Sequence, residues 1–316
     1  MTPDRNPTMP LATDWFEPVR VNRPAAERRA ATLVARRGPK KVHQAAFLLN
    51  AIRCMDLTTL AGDDTPDLVA RLCAKARRPL GEDIVAGLGL TAMPRVGAVC
   101  VYPTMVAPAV RALSNSGIPV ASVATGFPAG LMPRDLRLAE IRYAVDQGAA
   151  EIDIVITRAH VFRADWALLH DEIAAMREAC GAAHMKAILG TGDLVTLKNV
   201  YDASVVAMQA GADFIKTSTG KEAVNATLPV SLVMLRAIRD FGARTGQRVG
   251  FKPAGGMKSA KDAIAWQILM REELGRDWLE PEVFRLGASS MLGDIERQLE
   301  HHVTGRYSAT HRHALA

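Results

Sequence analysis

Apolar and polar positions run along this chain in two alternating rhythms. Short apolar runs, bounded by glycine, proline or polar turns, recur between longer stretches of helical period. The runs fall at 54–57, 96–101, 120–124, 151–156, 184–189, 213–217, 249–252 and 283–286. Helical stretches follow at about 65–77, then to 115, to 147, 164–180, 193–209, 229–243, to 273 and to 301, and a first helix over 41–53 precedes them all. Strands that alternate with helices in this way predict βαβ units and a parallel sheet. Eight such units favour a closed (β/α)8 TIM barrel over an open sheet, and no G-x-G-x-x-G follows the first strand to argue otherwise. In such a barrel the loops after the strand C-termini build the functional site.

Strand parity then says which residues converge there. In 151–156 the isoleucines Ile152, Ile154 and Ile156 share one face, which packs outward, so Asp153 points inward with Val155. Phe214, Lys216 and Ser218 share the inward face of the sixth strand, and Gly250, Lys252 and Ala254 that of the seventh. Asp153, Lys216 and Lys252 therefore meet. A buried, unpaired ammonium is costly. The usual outcome is a lowered pKa, which turns a lysine into a nucleophile near neutral pH. Lys216 reads as an amine that attacks a carbonyl. Lys252 is the second cation that helps lower its pKa, and Asp153, with Lys252 or a water, is the acid and base of a carbon–carbon cleavage. The plainer alternative is a Lys–Asp–Lys network without chemistry. Lys186, inward on the fifth strand, either adds to this cationic interior or is a structural partner of Asp153 or Asp56. Parity leaves Cys100 open to either face.

Three turns at successive strand ends suit a phosphate: Gly220-Lys221, Gly255-Gly256 and Gly287-Ala288-Ser289-Ser290. Glycines let backbone N–H groups approach an anion, and the helix after Ser289 adds its N-terminal dipole. Strands seven and eight are a frequent place for a phosphate site in such barrels.

Composition narrows the class further. The chain has 316 residues, 49% hydrophobic and 23% charged, which suits a water-soluble globular domain with one large core. The domain boundaries read as a basic, flexible arm over 1–40, a barrel over 41–303 and a tail over 304–316. Much of the basic excess behind the net charge of +6 lies near the N-terminus, at Arg20, Arg23, Arg28, Arg29, Arg36, Arg37, Lys40 and Lys41. Few aromatics interleave these charges, so a solvated arm is favoured over a nucleic-acid contact. No run of 18 uncharged apolar residues predicts a membrane span. Cys54, Cys73, Cys100 and Cys180 are widely spaced, which points to free thiols in a reducing cytoplasm. His301, His302, His311 and His313 lack the spacing of a closed zinc site and read as part of a solvated tail.

Four segments resemble those of the deoxyribose-phosphate aldolases: Asp56-Leu57-Thr58-Thr59-Leu60, the run from Asp213 to Lys221, the run from Gly250 to Gly256, and Arg285-Leu286-Gly287-Ala288-Ser289-Ser290. The likeness covers about residues 45 to 307. The segment from Asp294 to Tyr307 is similar to the longer branch of that family, which includes the animal enzymes. The resemblance implies a metal-independent, cofactor-free class I aldolase of deoxyribonucleoside catabolism. Such an enzyme reversibly cleaves 2-deoxy-D-ribose 5-phosphate to acetaldehyde and D-glyceraldehyde 3-phosphate. By motif, Lys216 forms the Schiff base, and Lys252 and Asp153 move protons and tune it. Asp56, Thr58 and Thr219 face the sugar hydroxyls. Gly220, Lys221, Gly255, Gly256, Gly287, Ser289 and Ser290 hold the phosphate. The partner is then a small phosphosugar, with no nucleic acid or membrane, and a homo-oligomer, dimer or tetramer, is compatible.

Two departures stand out. Compact bacterial members end in a tyrosine that assists proton transfer, whereas this chain ends His313-Ala314-Leu315-Ala316, and whether Tyr307 substitutes stays open. Strand five ends Gly190-Thr191-Gly192 where many members have Glu-Thr-Gly. A class I aldolase of another phosphosugar, transaldolase-like or acting on a keto acid, is the alternative enzyme. A silent barrel that binds a phosphometabolite is the alternative outside catalysis.

Overall fold

The computed structural model describes residues 5–36, 38–309 and 311–314. Eight parallel strands form one sheet: β1 (Met55–Thr58), β2 (Ala98–Val101), β3 (Val120–Val123), β4 (Glu151–Val155), β5 (His184–Ile188), β6 (Phe214–Lys216), β7 (Gly250–Lys252) and β8 (Leu286–Ala288). Each strand pairs with its sequence neighbour, and β1 also pairs with β8. Bridges from Phe251 to Phe284 and from Ala254 to Gly287 join β7 to β8. The Phe251 N–H donates to the Val283 carbonyl at 2.9 Å and the Arg285 N–H to the Phe251 carbonyl at 3.0 Å. These contacts close the (β/α)8 barrel and leave no sheet edge.

The helices, in order, are α1 (Arg23–Arg36), α2 (Val42–Arg53), α3 (Pro66–Arg77), α4 (Glu82–Gly87), α5 (Val106–Ala112), α6 (Arg134–Asp146), α7 (Arg158–Phe162), α8 (Trp166–Ala179), α9 (Leu197–Gln209), α10 (Leu228–Thr245), α11 (Ala260–Leu274) and α12 (Met291–Thr304). Hydroxyl caps start four of them. Thr65, Thr196, Thr227 and Ser259 each accept an N–H of the first turn, and Ser259 closes a reciprocal box with Asp262. These caps sit where a loop leaves the C-terminal end of a strand, so they fix loops at the functional end. Asp294 of α12 also accepts the Ala260 N–H at 2.7 Å, which ties the start of α11 to α12.

Parity divides the apolar residues into two bodies. Ile152, Ile154 and Ile156 join the large layer between strands and helices. A separate small cluster of Ala98, Cys100, Ala121 and Val123 fills the interior beside β2 and β3, with Leu60, Tyr102 and Phe127 above it. Cys100 thus points into the barrel.

The N-terminal segment departs from the solvated arm expected for it. The Asn6 N–H donates to Asp213 at 2.9 Å, and the Asn6 side chain donates to the Met208 and Ala212 carbonyls at 2.6 and 3.0 Å. Phe16 is fully buried and meets Trp166 edge-on at 5.5 Å. Helix α1 lies against α10 and α11. Its Ala26, Ala30 and Leu33, spaced four and three apart, form one buried stripe, while Arg23, Arg28 and Arg36 face solvent. Two of the three stripe residues are alanines, so their apolar signal was too weak to stand out among arginines.

The tail likewise folds back. His313 contacts Glu300 at 2.7 Å and Glu296 at 3.3 Å, and Arg312 reaches Glu300 at 2.7 Å. Glu296 and Glu300 lie on the buried face of α12, where a carboxylate requires a cation; Lys75 provides another at 2.6 Å from Glu296. His313 is therefore not part of a solvated tail, whereas His302 and His311 are exposed as expected. Residues 1–4 and Arg37 of the arm, and Thr310, Leu315 and Ala316 of the tail, lie outside the described residues.

Because the arm is part of the core, Phe16→Ala is expected to lower the unfolding free energy by about 3–5 kcal/mol, and Arg28→Ala by less than about 0.5 kcal/mol. Urea titrations of the two variants check this.

Candidate active site

The barrel floor is ionic. Asp153 of β4 accepts three ammonium groups: Lys216 and Lys252 at Oδ2, at 2.7 and 2.8 Å, and Lys186 at Oδ1, at 3.0 Å. Lys252 also meets Asp56 Oδ2 at 2.5 Å. Lys186 pairs with Glu151 as well, and lies 3.8 Å from Asp56. Arg285 closes the network from below, on Asp56 at 2.6 Å and Glu151 at 2.7 Å. None of these side chains is more than 8% exposed. Among the described residues, four cations thus share three carboxylates.

The excess charge falls on Lys216. Lys252 and Arg285 each contact two carboxylates and Lys186 three, whereas among the described residues Lys216 contacts only the shared Asp153. Burial lowers the Lys216 pKa, Asp153 opposes that, and the neighbouring Lys252 lowers it further. For Lys252 the burial penalty is outweighed by Asp153 and Asp56, and its pKa is raised. Lys186 is raised too, against burial, by Asp153 and Glu151. Burial would push the Asp153 carboxyl up, but Lys186, Lys216 and Lys252 hold it well below the usual range. Lys216 is therefore the amine of the floor that gives up its proton most readily.

Glycines make this packing possible. At Gly250 the Phe214 ring occupies the place of a side chain, and the Arg285 guanidinium lies 6.0 Å from that ring. At Gly287 an added Cβ would come within 3.2 Å of the Lys252 Cε.

Above Lys216 opens a cavity of about 390 Å³. Its lining brings together Lys216, Thr58, Thr219, Gly220, Lys221, Gly255, Gly256, Gly287, Ser289 and Ser290, all expected from the sequence. Asp153 and Lys252 lie beneath. Asp56 differs from its expected place facing sugar hydroxyls: it is fully buried, with one oxygen on Arg285 and the other on Lys252. Two backbone groups assigned to the anion are also engaged. The Gly287 N–H donates to the Pro253 carbonyl at 2.9 Å, and the Gly220 N–H to Glu222 at 3.2 Å. Among the described residues, the N–H groups of Gly255, Gly256, Ser289 and Ser290 donate to no protein acceptor. The arrangement presents a nucleophilic amine at the floor and an anion-receptive rim.

The profile of the DeoC/LacD family aldolases matches residues 50–268. The chain belongs to this family. Among relatives of the DeoC/LacD aldolases, the deoxyribose-phosphate aldolases of Bos taurus and Homo sapiens are each 58% identical over 308 residues, covering 95% of this chain and 96% of theirs. The deoxyribose phosphate aldolase of Aeropyrum pernix, solved as a tetramer, has the same barrel, with a TM-score of 0.59 and 19% identity over 85% of this chain and all of its own.

Within this DeoC/LacD frame, Tyr307 is 84% exposed and stacks on His301 at the far end of α12 from Ser290. A 14-residue helix spans about 21 Å, so Tyr307 does not reach Lys216. Lys186 is the structural partner that parity left open. Glu151, Arg285 and Glu222 were missed. Parity could have found Glu151, which shares the face of Asp153, and Arg285 stood inside a motif already noted.

The sign of the Lys216 shift predicts selective labelling. A lowered pKa gives Lys216 a larger neutral fraction than an ordinary lysine has at the same pH. Reductive labelling with a small aldehyde should therefore concentrate on Lys216 at neutral pH and fade as pH drops through its folded value. Lys186 and Lys252, both raised, should remain unlabelled, which peptide mapping across pH reads directly.

Proposed function

We propose that Lys216 is the Schiff-base lysine of an aldolase that reversibly cleaves 2-deoxy-D-ribose 5-phosphate to acetaldehyde and D-glyceraldehyde 3-phosphate. The observation that carries this reading is the position of Lys216, buried and held 2.7 Å from an Asp153 carboxylate that it shares with Lys252, a setting that lowers its pKa. The chain's close likeness to deoxyribose-phosphate aldolases over nearly its whole length supports the substrate.

In the cleavage direction, the neutral Lys216 Nζ adds to C1 of the open-chain aldehyde. The carbinolamine loses water with a proton from the Lys252–Asp153 pair, and an iminium forms. A base of the same pair, directly or through water, takes the proton of the C3 hydroxyl. The C2–C3 bond breaks, its electrons pass into the C1–C2 enamine, and glyceraldehyde 3-phosphate leaves. Protonation at C2 and addition of water then release acetaldehyde and restore the amine. Lys252 stays cationic between Asp153 and Asp56, so it stabilises the alkoxide forms and donates protons. Asp56 serves Lys252 rather than a sugar hydroxyl. Thr58 and Thr219, on the cavity wall, remain the side chains placed for hydroxyls.

The phosphate is assigned to the rim. Lys221 supplies charge, Gly255 and Gly256 supply N–H groups in the turn after β7, and Ser289 and Ser290 supply N–H groups at the start of α12. Such a reaction places the protein in deoxyribonucleoside catabolism. No helix among the described residues is long and apolar enough to cross a membrane, and the cytoplasm, where free thiols persist, suits the four unpaired cysteines.

Incubation with acetaldehyde and borohydride should add a two-carbon label to the Lys216 peptide. Lys216→Ala should abolish labelling and turnover, while Lys252→Ala should lower kcat by about 10²–10⁴ and still permit slow labelling. Equal residual rates would contradict this division, and an unlabelled wild type would favour a silent barrel. Lys221→Ala should raise KM for the phosphorylated sugar by about tenfold with little change for 2-deoxyribose, read by steady-state kinetics on both substrates.

A further inference from the structure

The loop after β6 carries a carboxylate where an anion was expected. The Thr219 N–H donates to both Glu222 oxygens, at 3.0 and 3.1 Å, and the Gly220 N–H to one of them, at 3.2 Å. The Lys221 N–H donates to the Thr219 hydroxyl at 3.1 Å. The Asn225 side-chain amide donates to the Glu222 carbonyl at 3.1 Å. Residues 219–225 thus close on themselves around one side chain.

Both neighbouring loops hold this segment from outside. On the β5 side, a side chain at Gly192 would collide with the Val224 carbonyl. On the β7 side, Asn225 fills the place of a Gly255 side chain, with its Cγ 2.7 Å from where a Cβ would stand. Gly255 has φ of +76°, so the glycine also meets a backbone need. The segment is wedged between two glycine turns, with its inner surface, Thr219 to Lys221, on the cavity and Glu222 off the cavity lining.

We propose that Glu222 is a positioning residue for the substrate's phosphate. Its carboxylate occupies the Thr219 and Gly220 N–H groups and locks the segment, so that the Lys221 ammonium is presented to the cavity. The β6 turn then contributes the Lys221 side chain to the anion, and the backbone donors come from the β7 and β8 turns. Gly192 has a matching part, because its bare backbone lets Val224 seat. The proposal rests on the assignment of Lys221 to the phosphate.

Steady-state kinetics with 2-deoxyribose 5-phosphate, with 2-deoxyribose, and with inorganic phosphate as inhibitor test it. In Glu222→Ala the KM for the phosphorylated sugar and the inhibition constant of phosphate should rise together by about tenfold, with kcat within about twofold of wild type. The kcat/KM for 2-deoxyribose should not change. Glu222→Gln, whose amide oxygen still accepts the N–H groups, should restore most of the loss. Gly192→Ala, which displaces Val224, should reproduce the selective rise. An unchanged KM in folded Glu222→Ala would overturn the proposal, as would equal losses on both sugars. Tighter phosphate binding in Glu222→Gln would also overturn it, by showing that the carboxylate competes with the anion. If Lys221→Ala leaves KM unmoved, the phosphate assignment itself fails, whatever Glu222 does.

Discussion

The Asp153 carboxylate accepts three ammonium groups in a space closed to solvent, and the rest of the site is arranged around that crowding. Buried charges of one sign repel strongly where the dielectric is low, so each lysine needs its own share of negative charge. Asp56 and Glu151 supply it for Lys252, Lys186 and Arg285. Nothing further supplies it for Lys216. Release of a proton from Lys216 brings the floor to electrical balance. The same imbalance that makes the interior expensive to build makes one amine reactive. Stability and reactivity are opposed in the same few atoms.

The site is layered along the barrel axis. Arg285, Glu151 and Phe214 form the bottom, the three lysines and two aspartates the middle, and the glycine and serine turns the open top. Rigid strands set the lower two layers, while loops set the upper one. This division suits an aldol reaction, in which bond breaking needs fixed proton donors and recognition of a charged end group tolerates loop placement. The small residues Ala98, Cys100, Ala121 and Val123 fill the interior at β2 and β3, directly beside these charges, with Cys100 in electrostatic reach of Lys216, Lys252, Asp153 and Asp56. The polar network is thereby confined to the walls built by β4 to β8 and β1.

Much of this was readable before any coordinates. Period-two alternation placed Asp153, Lys216 and Lys252 on one interior, because a strand permits only two directions for a side chain. Turns at the strand ends gave the cavity wall. What escaped the reading depended on partners distant in sequence. Glu151 opens its strand, where a charge commonly meets solvent, and Arg285, 134 positions away, together with Lys186 makes its burial tolerable. Asp56 lies in a recognisable motif, yet its orientation is decided by Lys252 and Arg285 rather than by neighbours in the chain. Glu222 forms bonds only two and three residues away, but a turn that binds its own carboxylate is written in the same small residues as one that binds a phosphate. The N-terminal helix was hidden by alanines, whose contribution comes from allowing close approach rather than from hydrophobic area.

The docking of the first residues has a consequence for biosynthesis. Asn6 bonds to Asp213, 207 positions later, and α1 rests on helices formed later still. Synthesis must pass Asp213, 207 positions beyond Asn6, before these contacts exist. Until then α1 has neither of these partner helices, and its docking becomes a late event that seals the nascent barrel.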